Sequence, residues 1–462
     1  MIRRRTTPHR RKNERGVTMI LVVMAMLSML AIVALAIDVI TLYSARSETQ
    51  RVADAAALAA AKALVDSGVT SDPANNLNYP AAQTLATQAA KDVGSQLAIA
   101  GRSVQAADVA VSYSNTGTPN FGMNPQVTVT VQNAYLPAFF SRIWSHSTLT
   151  VQASATAEAF NPSNSATVAA GGAAVPVIPR CVKPFLIPNC DPVNANNHGS
   201  NCGAAFATFF NVGTGAITNP GVAPTGAIGE GFELISNCPS PGPGCNAPAG
   251  PTTGVNGAGV PTLYYYPAQM PAATNACPQS CVGGTNFEQD IECCNPTPIS
   301  CGTTATPPIV DTLTLDTTVY PEGGGGPAQS GVECLIHQSG GSGMDSLNAG
   351  PPLTYPLQIQ VGNGNPLAGT PTLSANDYVT TSDSLVTIPV YDGASTPGSA
   401  TPVNIIGFLQ VFIDRAFPGG GGWKAGEFHV TVVNVIGCGN AATGTAVAGA
   451  GASPIPIRLI HQ

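Results

Sequence analysis

The spacing of apolar and polar positions changes character three times along this chain. Val17 to Ile37 is a run of twenty-one residues without a charged side chain. At about 1.5 Å rise per residue it spans roughly the 30 Å of a bilayer's hydrocarbon core. Thr18 and Ser28 supply the only hydroxyls in the run, and a helix satisfies both on its own carbonyls. Helical patterning continues past Asp38 through Tyr43, Arg46, Glu48, Arg51 and Asp54 into Ala55–Ala61, and is expected to end near Asp66-Ser67-Gly68, where glycine supplies the stop signal. A secretory signal has a shorter apolar region, about 7 to 15 residues, with a cleavage site soon after it. The pattern therefore predicts one transmembrane helix that projects beyond the membrane as a stalk.

A second helix is predicted from Ala81 to Ala98, with Leu85, Ala89, Val93 and Leu97 on one stripe. The period then shortens to two. Strands are predicted at Val109–Tyr113, Gln126–Gln132 and Leu149–Glu158, and the middle one alternates Val127, Val129 and Val131 against Thr128 and Thr130. Pro137–Trp144 between them reads as a short amphipathic helix packed on the sheet through Phe139, Phe140, Ile143 and Trp144. Asn161 to Ala174 is rich in Ser, Asn, Ala and Gly and reads as a linker. Beyond it Gly and Pro recur so often that helices are not expected. Clear strands return only at Val386–Tyr391, Val403–Ile413 and Phe428–Ile436, the last two joined across Gly419–Gly422 as a hairpin at the centre of a sheet.

Charge sets an orientation. Seven Lys/Arg, including Arg3–Arg5, Arg10–Lys12 and Arg15, precede the apolar run, whereas Arg46 and Arg51 after it face Asp38, Glu48 and Asp54. Lys and Arg stay on the cytoplasmic side, so the expectation is an inside N-terminus and an outside bulk. Residues 1–160 hold 13 Lys/Arg and 9 Asp/Glu, and the remainder holds 5 and 16. The bulk thus offers no basic face for nucleic acid. Only 9% of residues are charged, against about 25% in typical soluble domains, while 44% are hydrophobic and Gly and Pro number 50 and 40. That balance excludes wholesale disorder and favours a turn-rich β architecture.

The ordered series Arg15-Gly16, an apolar span, Ala36-Ile37-Asp38-Val39, Leu42-Tyr43, Arg46, Gln50 and Ala53-Asp54-Ala55-Ala56-Ala57-Leu58-Ala59 resembles the N-terminal segment of the TadE/TadG-like Flp (tight adherence) pilus-assembly proteins. Gly16, Asp38, Tyr43 and Asp54 are the residues that carry the motif. The resemblance covers about sixty residues. It implies a membrane-anchored, pilin-like accessory protein whose partners are the lipid bilayer and other Tad/Flp pilus-assembly or pilin-like proteins. A long helix followed by a small antiparallel sheet agrees with a pilin-like plan. Prepilins carry Glu five residues after the processed Gly; here that residue is Leu21, so the anchor is expected to stay uncut.

Twelve cysteines lie beyond residue 180: Cys181, Cys190, Cys202, Cys238, Cys245, Cys277, Cys281, Cys293, Cys294, Cys301, Cys334 and Cys438. An even count confined to the exported, loop-rich part reads as a disulfide framework of undetermined pairing. Metal is the rival, because five thiols fall between Cys277 and Cys301, but three residues separate the first pair and adjacent Cys293-Cys294 suit one tetrahedral site poorly. His198 near Cys190, Asp191 and Cys202 suggests a Cys-His nucleophile, yet no local signature surrounds it, and a loop histidine is the plainer reading. Glu288, Asp290 and Glu292 are either Ca²⁺ ligands or, more simply, a solvated acidic loop. The glycine runs at 323–326 and 419–422 lack the Lys-Ser/Thr of a phosphate loop and read as turns. Tyr264–Tyr266 is a surface patch or a strand edge. Asp38 is expected in headgroup water at the outer end of the span.

The resulting expectation is a membrane-anchored α+β protein. It comprises a basic cytoplasmic arm (1–16), a transmembrane helix and stalk (17–66), a pilin-like helix with antiparallel strands (67–160), a linker (161–174) and a β-rich, loop-dominated, disulfide-braced domain (175–462). It is expected in a bacterial inner membrane as a structural component of pilus assembly, not an enzyme, with no cofactor, bound metal, nucleic acid or small-molecule substrate. The alternative is a membrane-anchored surface adhesin that takes no part in pilus assembly.

Overall fold

The first helix, α1 (Arg15–Asp66), is 52 residues long, which at about 1.5 Å per residue is roughly 78 Å. It belongs to a computed structural model that describes residues 15–72, 79–114, 123–136, 149–164, 171–172, 174–194, 207–237, 253–272, 283–302, 311–316, 318–319, 326–339, 341–348, 355–366, 368–369, 373–394, 397, 401–417, 426–442, 444–448 and 452–460. Residues 1–14 of the basic arm, the Pro137–Trp144 segment, half of the 161–174 linker (165–170 and 173) and the Gly419–Gly422 connection lie outside the described residues.

Helix α1 ends where glycine lets it. Gly68 adopts φ +79° and its N–H bonds back to the Val65 carbonyl at 3.0 Å. A Cβ at this position would also meet Ile228 Cγ2 at 2.8 Å and the Val433 carbonyl at 3.0 Å, so the helix end is pressed against a distant part of the chain. α2 (Tyr79–Ser95) follows and packs on α1. Its buried face is Tyr79, Ala82, Ala86, Ala89, Ala90 and Gly94; of the expected stripe Leu85, Ala89, Val93 and Leu97, Ala89 alone lies on it. The small residues win because they let the helix axes approach closely; Leu85 sits at the margin and Leu97 is exposed.

A two-residue hairpin, β1 (Ala98–Ile99) with β2 (Arg102–Ser103), leads into β3 (Val109–Ser114), β4 (Gln126–Leu136) and β5 (Leu149–Ala159). These three pair antiparallel in sequence order. Val127, Val129 and Val131 are fully buried in one cluster with Ala53, Ala56, Ala57 and Ala60 of α1, while Thr128 and Thr130 lie on the opposite, half-buried face. The alternation read from sequence thus becomes the inner and outer faces of a sheet laid on the stalk.

The remaining elements are β6 (Phe185–Pro188), β7 (Gly231–Ser236), β8 (Thr253–Val255), β9 (Pro261–Gln269), α3 (Asn286–Glu292), β10 (Thr312–Leu315), α4 (Pro327–Leu335), β11 (Ser346–Leu347), β12 (Ile359–Gln360), β13 (Tyr378–Val379), β14 (Leu385–Tyr391), β15 (Val403–Ala416), β16 (Phe428–Gly437) and β17 (Ile457–Ile460). Six of them close on themselves in the order β14-β6-β9-β7-β16-β15, because β15 pairs with both β16 and β14. The β6–β14 and β7–β9 pairs are parallel and the other ring pairs antiparallel. β10 bridges β15 and β9, and β8 adds to β9. Alternate residues, among them Phe185, Phe232, Leu234, Tyr265, Ile388, Val411, Phe428 and Val430, enter one cluster that also takes Phe287 and Ile291 of α3 and Val332 of α4. Phe185 anchors it, with ring centroids 5.0 Å from Tyr265 and 4.8 Å from Phe428. β11–β13 form a separate small sheet.

Three expectations are corrected here. Helices do occur beyond residue 174: α3 opens with a reciprocal capping box between Thr285 and Glu288, and α4 carries Pro at its start after the Gly326 N-cap, so that glycine caps a helix instead of making a turn. The acidic triplet is not a solvated loop, because Asp290 and Glu292 are buried on α3. Tyr264–Tyr266 is neither patch nor edge, since β9 is paired along both sides and Tyr265 and Tyr266 are buried. The final strand, β17, pairs with β5 in place of joining the second unit, so residues 457–460 complete the first sheet in the order β17-β5-β4-β3. A third apolar cluster runs through both units, from Val65, Ala159 and Phe160 to Phe408, Ile436 and Ile455.

Candidate functional site

Two features distinguish this molecule: a bare apolar half-helix, and a polar joint that fixes it to the barrel. In α1, Met19, Leu21, Met26, Leu30, Ile32, Leu35 and Ile40 are exposed, and Tyr43 is 70% exposed. The helix is long and apolar enough, by length and composition, to cross a membrane. Ser28 Oγ donates to the Ala25 carbonyl at 2.8 Å and Thr41 Oγ1 to that of Asp38 at 2.8 Å, so these hydroxyls are satisfied within the helix. One stripe is covered: Ala34, Asp38, Ala45, Thr49 and Val52 are buried at helical spacing. Asp38, at 6% exposure, is therefore not in open headgroup water but covered by the chain's own residues. From Val52 onward the Ala-rich surface packs against α2, β4 and β5 of this same chain. Among the described residues of α1, it is the exposed segment before it that is left to meet lipid or a partner.

Of the other motif residues, Gly16 lies in the first turn of α1 and Asp54 accepts from Gln50 Nε2 at 2.8 Å. The structure joins Cys181 to Cys294 and Cys301 to Cys438, across 113 and 137 residues, and Cys190, Cys293 and Cys334 are disulfide-bonded as well. The second bridge ties the segment whose N–H groups bond to the Val177 carbonyl and to that of Ile405 on β15 to the end of β16, and both its cysteines belong to the cluster shared by the two units. Cys202, Cys238, Cys245, Cys277, Cys281 and His198 lie outside the described residues. His337 Nε2 is 3.1 Å from Asp383 Oδ2. Among the described residues no cluster of three or more His, Cys, Asp or Glu side chains is placed to hold a metal.

The joint centres on Asn434, which is fully buried on β16. Its Nδ2 donates to the Val65 carbonyl at 2.7 Å and to Gln410 Oε1 at 2.8 Å. Its Oδ1 accepts from Thr70 Oγ1 and Ser71 Oγ, each at 3.0 Å. Ser71 Oγ in turn accepts from the Val435 N–H at 3.0 Å. Asn161 Nδ2 reaches the carbonyls of Thr70 and Val435, both at 3.2 Å, and Ser163 Oγ accepts from the Gly437 N–H at 2.6 Å. Sequence reading missed these residues. The available signal was Asn434 itself, an amide inside the apolar run Val432-Val433-Asn434-Val435-Ile436.

Buried charge is concentrated on the barrel. Lys183, 5% exposed, donates from Nζ to the Cys293 carbonyl at 2.8 Å. Burial pulls its pKa down to about 8, against the pull of Asp383, Asp290 and Glu292. Glu233 on β7 is fully buried, and among the described residues neither of its carboxyl oxygens has a hydrogen-bond partner. Burial raises it to about 8, opposed by His429 and reinforced by Glu427 and Asp414. For His429 burial disfavours the cation, but Nδ1 lies 2.7 Å from Asp414 Oδ2, and that bond with the nearby carboxylates raises its pKa overall.

Residues 16–63 match the model of the family described as putative Flp pilus-assembly TadE/G-like. The match covers the exposed apolar helix and most of the Ala-rich stalk. No curated protein and no solved structure matches the chain significantly.

Proposed function

We propose that this chain is a structural component of Flp (tight adherence) pilus assembly, held in a bacterial inner membrane by one span with its basic N-terminal arm in the cytoplasm. Its work is placement, not turnover. The observation that carries this reading is the continuity of α1: one uninterrupted helix is bare and apolar over its first half and built into a core over its second. Orientation in lipid is thereby coupled to the orientation of the barrel, with no hinge in α1 between them. The TadE/G-like match falls on that same segment and supports a place beside other pilus components. An outer unit braced by disulfides agrees with an oxidising compartment.

Two measurements test the reading. Full-length protein tagged at both ends is expected in the carbonate-washed membrane fraction, with the C-terminal tag digested by protease added to spheroplasts and the N-terminal tag protected. A deletion strain is expected to lose assembled pili. Recovery of intact protein in the soluble fraction defeats the anchor, and normal pili with lost attachment favour the adhesin alternative. Removing residues 161–462 alone does not separate the two, because it also takes β17 from β5 and Asn434 from Thr70 and Ser71.

A further inference from the structure

Two rows of polar side chains line one cleft of about 860 Å³ on the barrel. The first is on β10, where the core takes Leu313 and Leu315, and the alternate residues Thr312, Thr314 and, just past the strand, Asp316 are left to the cleft. The second is on α3, where Asn286, Gln289 and Asp290 fall at i, i+3 and i+4 on one helical face. Each row is bonded on its own side. Thr314 Oγ1 donates to Gln269 Oε1 at 3.4 Å, and Asp316 Oδ1 accepts from the Thr318 N–H at 2.9 Å. Gln289 Nε2 donates to the Gly283 carbonyl at 3.2 Å, and Asp290 Oδ1 accepts from Asn295 Nδ2 at 3.1 Å. Among the described residues the Asn286 amide and the Thr312 hydroxyl have no hydrogen-bond partner. No Lys, Arg or His is among the described residues that line the cleft.

We propose that this cleft binds a neutral saccharide. Its volume lies within the roughly 300–1,000 Å³ of small-ligand sites, and the lining decides the class. Phosphate and carboxylate ligands call for cationic partners, which the described lining lacks. A hydrocarbon would take both rows out of water with nothing to bond. A cationic ligand would meet two carboxylates, each already accepting from the protein, among uncharged amides and hydroxyls. A sugar hydroxyl is donor and acceptor at once. Asp290 and Asp316 can accept from it, the amides of Asn286 and Gln289 accept and donate, and Thr312 and Thr314 do either. Met270 and Val319, partly buried in the same lining, offer apolar surface to the C–H face of a pyranose ring. Such binding belongs to the barrel alone and requires no place in pilus assembly.

The test uses full-length protein with its disulfides intact, in a detergent without a sugar headgroup. Saturation-transfer NMR is run at millimolar ligand against glucose, galactose, mannose, N-acetylglucosamine, maltose, cellobiose, lactose and chitobiose. Transfer to at least one of them is expected, equal at low and high NaCl because no ion pair is made. In calorimetric titration with that sugar, Asn286→Ala and Asp316→Asn should each weaken binding by about tenfold, the loss of one hydrogen bond. Thr128→Ala, on the first sheet, should leave it unchanged. Asn286 is exposed, so its truncation probes the cleft without loading the core. No transfer to any of the sugars overturns the proposal, a result the wild-type protein gives whether or not the variants fold. Wild-type affinity in both Asn286→Ala and Asp316→Asn overturns it too, as does a preference for spermine that NaCl abolishes, the mark of a cation site.

Discussion

Asn434→Ala is expected to destabilise the folded chain by about 3–5 kcal/mol, because it strands several buried polar groups at about 1–3 kcal/mol each and opens a cavity. The wild-type amide uses two donors and two acceptor positions, which is its full capacity. Truncation leaves the Val65 carbonyl and Gln410 Oε1 without this donor, and the hydroxyls of Thr70 and Ser71 without this acceptor, where water has no access. These groups hold the end of α1 to β16, so the loss falls on the coupling between helix and barrel. Thermal unfolding of the full-length protein in detergent, disulfides intact, should show a melting temperature lower by about 5 °C or more. Thr128→Ala, on the half-buried outer face of the first sheet, should change it by less than about 1 kcal/mol. A similar melting temperature for Asn434→Ala and wild type would show that the joint contributes little.

Glu233→Gln is expected to act in the opposite direction, stabilising the protein at neutral pH by about 2 kcal/mol. Burial lifts this carboxyl from the usual value near 4.5 to about 8. An unfolded chain releases the proton near pH 4.5, whereas the folded chain keeps it until about pH 8. Between those values the folded state binds more protons, so stability falls as pH rises, by up to about 1.4 kcal/mol per unit, and levels above pH 8. His429, also raised, contributes stability below its unfolded value that is lost as pH passes through its folded one. Lys183, lowered to about 8, slopes the other way only between about pH 8 and 10.5. Unfolding free energy plotted against pH should therefore decline from pH 5 to a minimum near pH 8. The Glu233→Gln curve should be higher at pH 7 and shallower, not flat, because Asp66, Glu230 and Glu292 are raised as well. Parallel curves for variant and wild type would refute this account of Glu233.

Both effects rest on residues that one-dimensional patterning does not single out. Periodicity found what is local: the α1 and α2 segments, the alternation of Val127, Val129 and Val131, and the three late strands, whose observed bounds Leu385–Tyr391, Val403–Ala416 and Phe428–Gly437 begin within one residue of those read from the chain. It passed over β6, β7 and β10 because strands of four to six residues among Gly and Pro carry too few alternations to register. It discounted α3 and α4 because glycine and proline density outweighed the Thr285–Glu288 capping box and the Pro327 start signal.

The candidate site divides the same way. An uncharged run without partners is visible as such, because what lipid or solvent meets depends on composition and length alone; the sequence by itself determined the exposed apolar half-helix, its continuation into an Ala-rich stalk and the confinement of cysteine to the later part. Only the tertiary structure decided that the Ala face is consumed inside the chain, that Asp38 is covered, that the ring of six strands closes and that β17 returns to β5. Asn434 lies more than 360 positions from Thr70 and Ser71. Such groups are brought together by strand pairing and burial, long-range choices in which each side chain answers to neighbours far away in the chain.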